Sequence, residues 1–341
     1  MRVPIDLKEY MMKRHYYIIK GIVLLAAMLL AACSSSDSDD SPAATSQNEI
    51  RLTTNVTSMP SGTRATTINS NTALRDYDLK IDAYYHDTET KFLDGKTLHY
   101  DAPAWKFWAG GAQEHYYWPF DGSTVTIAGG STVASTLDFV GFCPYDKPAY
   151  IGDPTYNHST GVSFTCDMRS YMTLDNQSSM QEFLVSVLNE QTLAKQTTAG
   201  GALPMVFKHP FALIKFVITE ASGTHVKINS VSIADLKTSG RCTYNGNEMT
   251  WREQSGGTAM TIVQELKRGG TTETTPFVVI PYNYGSKTLT VNATWDDWSN
   301  VTVDVTANVD FNWEPGKIYT YNLTLAKYIL IVDTQKYTEQ W

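Results

Sequence analysis

The sequence predicts an all-β protein. Three observations carry that prediction. Tyrosine, threonine, valine, isoleucine and tryptophan are abundant, with 20 Tyr and 8 Trp among 341 residues. Apolar and polar residues alternate with a period of two in several segments. Turn-forming clusters separate those segments, a spacing that suggests sandwich architecture. Beyond the first 48 residues the chain is long enough for two domains with their own cores.

The N-terminal segment has the form of an export signal. Lys13, Arg14 and Lys20 precede an apolar run over residues 21–30, which is too short to span a bilayer core of about 30 Å as a helix. The run ends in Leu30, Ala31, Ala32 and Cys33, the pattern of a lipoprotein cleavage site. Cleavage would place Cys33 first, where its thiol carries diacylglycerol and its amine a further acyl chain. Two or three chains anchor stably where one is marginal. The Ser/Asp run over residues 34–40 cannot bury apolar surface and reads as a solvated tether. The expected boundaries are a signal peptide at 1–32, an acidic tether at 33–48, and sandwich domains at 49–200 and 201–341.

Without residues 1–32 the chain loses five basic and two acidic residues and carries about −11. No basic run remains, so nucleic acid is a poor partner. Cys143, Cys166 and Cys242 are odd in number and cannot all pair within the chain. Cys143 and Cys166 could bridge in an oxidising envelope, although nothing in the sequence fixes their geometry, and Cys242 reads as a buried thiol.

Along the chain, residues 49–58 alternate strictly. Ile50, Leu52, Thr54 and Val56 fall on one face of a half-buried strand. Residues 59–71 combine Pro, Gly, Ser, Thr and Asn and read as an exposed loop with Arg64 at its middle. Strands are expected at 77–85 and 136–145. Between them lies an aromatic region with Trp105, Trp108, Tyr116, Tyr117 and Trp118. Residues 179–193 carry Met180, Phe183, Leu184, Val187 and Leu188 at helical spacing and predict a helix. Residues 197–203 read as a break between domains. The apolar stretch 205–219 is interrupted by Pro210, which suggests a bulge, an edge or two short strands. Further strands are expected at 226–233, 259–264, 275–281, 287–295, 301–309 and 318–325. The last, Tyr328, Ile329, Leu330, Ile331 and Val332, is apolar on both faces, so its register is not legible.

No enzyme motif appears. The seven histidines show no ligand spacing, and there is no GxSxG, phosphate loop or calcium loop. His209, beside Pro210 in an apolar segment, reads as a core histidine. Asp296 and Asp297 read as a hairpin turn. No cofactor is implied. The aromatic region allows a second reading, a monomeric surface glycan-binding lipoprotein.

The chain resembles the fimbrillin family of Bacteroidota. The resemblance rests on the cleavage site at Cys33, on Thr63-Arg64-Ala65 after the first strand and on FKHPFALIKFVI at 207–218. It rests also on WEPGKIYTYNLTL at 313–325 with a short tail after it. It implies two tandem transthyretin-like β-sandwiches, exported as an outer-membrane lipoprotein of the cell surface. It further implies cleavage between Arg64 and Ala65 by an arginine-specific protease, with Arg51 and Arg75 as competing positions. Departure of the first strand and its replacement by a strand from another fimbrial subunit would follow, with residues 328–332 as the donor. Adhesion to a host glycan or protein receptor would be the downstream use.

Overall fold

The leading strand, Leu52–Val56, alternates buried and exposed residues as its sequence does, and Ile50, Leu52, Thr54 and Val56 all point inward. The computed structural model describes residues 48–56, 68, 70–119, 124–127, 129–173, 176–177, 179–221, 226–263, 270–295, 301–333 and 337–340. Leu30, Ala31, Ala32, Cys33, Arg64, Ala65, Asp296 and Asp297 lie outside the described residues. Asn48–Trp341 forms one compact unit.

The leading strand pairs in parallel with Leu203–Phe207, in register from Leu52 opposite Leu203 to Val56 opposite Phe207. This pair shares a core with a six-stranded sheet. That sheet has the order Leu184–Gln191, Leu137–Cys143, Leu79–Tyr85, Lys91–Asp101, Ala104–Ala109 and Ala112–Gln113. Leu137–Cys143 is buried at every position. Gly141 within it has no room for a side chain, because a Cβ there would stand 2.8 Å from the Phe207 ring and 2.9 Å from the Met205 methyl. The glycine thus lets the partner of the leading strand settle directly onto the large sheet.

A second core lies between a sheet ordered Thr271–Glu273, Ala212–Glu220, Lys317–Ala326, Ile329–Val332 and one ordered Thr258–Val263, Val226–Leu236, Asn283–Trp295, Val301–Asn312. Trp295, Phe216, Phe311 and Tyr321 fill it. A further four-stranded sheet, Met249–Ser255, Ser239–Tyr244, Gly161–Asp167, Thr155–Asn157, draws on both halves of the sequence. The break expected at 197–203 holds the end of a short helix and a turn. The strand after it returns to the first core, which therefore uses residues up to Phe207. Pro210 does split its apolar stretch into two strands, Leu203–Phe207 and Ala212–Glu220.

The helix expected over 179–193 is corrected. Its centre is the strand Leu184–Gln191, paired antiparallel with Leu137–Cys143. Leu184, Val185, Ser186 and Val187 are all buried, because this strand is covered on both faces. A continuous apolar run of that kind contains helical spacing by accident. The true helix follows at Leu193–Thr198, where the Thr192 hydroxyl accepts the Lys195 N–H. Cys143, Cys166 and Cys242 are free and buried, and burial pushes all three thiols up.

Candidate strand-exchange site

The leading strand is held by hydrogen bonds along both of its edges. Odd-numbered residues of the leading strand face its ladder partner: the Arg51 carbonyl accepts the Leu203 N–H at 2.9 Å. Upstream the ladder is continued by a side chain. Gln196, 4% exposed on the short helix, donates to the Glu49 carbonyl at 2.7 Å and accepts the Arg51 N–H at 3.0 Å. The same oxygen accepts Trp118 Nε1–H at 3.2 Å. On the opposite edge, the Ile50 N–H reaches the Tyr116 carbonyl at 2.7 Å and the Val56 N–H reaches Asn71 Oδ1 at 2.8 Å.

Both described residues that flank the segment containing Arg64 are therefore tied to the folded unit. Val56 is held by Asn71. Ile68, 1% exposed, gives its N–H to the buried Glu182 carboxylate at 2.8 Å, and His209 bonds the Ile68 backbone. His209 is buried, as its sequence setting predicts, and burial pushes it down to about 3. It is neutral in the folded protein and titrates near 6.5 when unfolded. A depressed histidine contributes stability that is complete above the unfolded value and is lost as pH falls through the window from about 6.5 towards 3. We expect the His209 contribution to fall by about 2 kcal/mol between pH 7.5 and pH 5. Urea midpoints across that range, compared with His209→Gln, isolate it, since the variant should lose this part of the slope.

Gln196 is the residue the sequence did not single out. Replacing it with alanine removes three bonds and leaves buried donors behind. We expect Gln196→Ala to lower the free energy of opening the leading strand by about 1–3 kcal/mol. Hydrogen exchange at the bonded amides of Thr53, Asn55 and Val56 reads that opening directly, with exchange at Leu79–Tyr85 as the internal control.

The tail strand, Ile329–Val332, pairs antiparallel with the closing strand Lys317–Ala326 of its own chain. Tyr328 belongs to the turn, with φ 61°, and its ring packs on Trp295 at 5.0 Å. The register is now defined: Leu330 is 8% exposed, whereas Ile329 and Ile331 are 57% and 54% exposed. The tail is thus an edge strand that offers two unburied isoleucines.

The five rings of the aromatic region divide among separate environments. Trp118 is buried against Phe139, Tyr116 packs on Phe107, Trp105 meets Tyr100, Trp108 lies beside His99, and Tyr117 is exposed. Among the described residues no cluster of three His, Cys, Asp or Glu could hold a metal ion.

Comparison with known proteins agrees with this architecture. A fimbrial protein from Bacteroides vulgatus superposes with a TM-score of 0.55 at 13% identity, covering 86% of this chain and 99% of its own. A candidate cell adhesion protein from Bacteroides ovatus gives 0.52 at 12% identity, covering 86% and 97%. At these identities the likeness concerns the fold. No curated protein sequence matches the chain. The family model described as fimbrillin-like matches residues 63–341. With its all-β sheets and that match over most of its length, this chain belongs to the fimbrillin-like family.

Proposed function

We propose that this fimbrial chain is exported as a lipoprotein anchored through Cys33, cut between Arg64 and Ala65, and assembled into a surface fimbria by strand exchange. The observation that carries this reading is the placement of the leading strand. It is inserted into the first core by four inward side chains, yet among the described residues it pairs with a single neighbouring strand. Its loss would bare the edge of Leu203–Phe207 above an apolar groove, and such an edge recruits another strand strongly. The partners are other fimbrial subunits, an arginine-specific protease, the outer membrane through the lipid, and a receptor at the cell surface reached by adhesion. The monomeric glycan-binding reading is the weaker one, because the five rings of the aromatic region do not form one platform.

Limited trypsin digestion of the native protein tests the proposal. We expect one early cut that leaves Ala65 as the N-terminus, followed by laddered oligomers that resist mild detergent. An early cut elsewhere, or a cut chain that remains monomeric, would contradict it.

A further inference from the structure

The leading strand has a second edge, closed at Ile50 by Tyr116 and at Val56 by Asn71, and open between them. Ladder bonds take the odd-numbered residues towards Leu203–Phe207, so Leu52 and Thr54 direct their N–H and C=O groups the other way. No described residue bonds them there. They border a groove of about 510 Å³ whose far wall includes Leu98, Tyr100, Trp105 and Phe107. Backbone groups repeated at every second residue are matched by an extended peptide, which carries donors and acceptors at the same spacing.

The chain carries one such edge of its own. Asp333 N–H donates to the Asn322 carbonyl at 2.9 Å, which fixes the parity of the tail hairpin. Ile329 and Ile331 then face the closing strand with their backbone groups, and Leu330 and Val332 face outward. The tail is the last strand of its sheet. The two open edges agree in a further respect. In the leading strand the outward backbone belongs to the core-facing residues Leu52 and Thr54; in the tail it belongs to the core-facing Leu330 and the half-buried Val332. An antiparallel register that sets Leu52 opposite Val332 and Thr54 opposite Leu330 therefore keeps the inner faces together. It also sets the exposed Thr53 opposite Ile331 and the exposed Asn55 opposite Ile329.

We propose that the tail strand of one copy docks edge to edge on the leading strand of the next before any cleavage. This contact needs the leading strand in place, so it is separate from the exchange described above and does not require it. The two edges are different surfaces, so the contact is heterologous and grows as an open chain rather than closing as a dimer. Tethering of many copies on one membrane raises their effective concentration, so a weak contact suffices. It also sets an incoming strand beside the one it would later replace.

The test uses the mature chain with Cys33→Ser, which is unacylated, and Arg64→Ala, which blocks the proposed cut and hence exchange. One population carries Asn55→Cys and the other Ile329→Cys. Under mild oxidation we expect a mixed disulfide at least tenfold above a control pair of Asn55→Cys with Tyr282→Cys, another exposed site. Val332→Pro removes an outward N–H and leaves the tail's own ladder intact, and it should reduce concentration-dependent sedimentation and cross-linking at least fivefold. Circular dichroism unchanged from the parent checks the fold of that variant. Cross-linking no greater than the control overturns the proposal. So does association that Val332→Pro leaves unchanged, or a groove that takes a soluble glycan and never a second copy.

Discussion

An Arg64→Ala chain is expected to remain at precursor length and to form fibres at less than a tenth of the wild-type yield. The two fixed residues that flank the cut segment explain the size of the effect. Asn71 holds Val56 and Glu182 holds Ile68, so the leading strand is tethered across the segment 57–67 to the unit it completes. A tethered strand competes at an effective concentration in the millimolar range, against micromolar neighbours, an advantage on the order of 10³. That factor corresponds to about 4 kcal/mol, more than a neighbour's four-residue strand recovers from side chains that are only partly buried. Cutting that segment removes the tether and leaves the non-covalent contacts, among them the bonds made by Gln196, Leu203–Phe207, Tyr116, Trp118 and Asn71. Detergent-stable ladders on gels and electron microscopy of the cell surface measure the yield. Wild-type fibres from the variant would show that the tether does not control assembly.

The second large effect is expected from a chain ending at Lys327. Loss of the tail removes the buried Leu330, the Tyr328 contact with Trp295 and the strand Tyr337–Gln340, which pairs antiparallel with Lys317–Thr320. The lost burial of Leu330 alone should cost about 1.5–3 kcal/mol, and the two lost ladders add to it. The closing strand keeps its parallel partner Ala212–Glu220, in register from Leu213 opposite Ile318 to Glu220 opposite Leu325, so the unit should still fold. Cleavage at Arg64 should proceed as before, but no subunit could donate a strand. The expected products are cut monomers and amorphous aggregates in place of ladders. A synthetic peptide of residues 328–341 added during cleavage should suppress the aggregates. Gel ladders and light scattering distinguish these outcomes, and laddered fibres from the truncated chain would exclude the tail as donor.

The residues show why part of this was readable in sequence and part was not. The leading strand is buried on one face, so its alternation survives in the sequence and its inward residues can be named. Pro210 marks a real interruption because its missing N–H cannot join a ladder. Leu184–Gln191 misled because a strand covered on both faces loses its period of two. The tail was ambiguous for a different reason: it is apolar on both faces although only one is covered, so it carries no legible face until Leu330 is seen against the core. Gln196 and Glu182 were beyond reach in another way. Each bonds a backbone more than a hundred positions distant, and a polar side chain on a short helix or in a loop gives no local sign of such a partner.

The most direct test of strand exchange is a cryo-electron-microscopy map of native fibres at side-chain resolution, together with the N-terminal sequence of their subunits. The account predicts chains that begin at Ala65, with residues of a neighbour's tail paired along Leu203–Phe207 where Leu52–Val56 lay. Fibres whose subunits retain their own Leu52–Val56 in that position would contradict it.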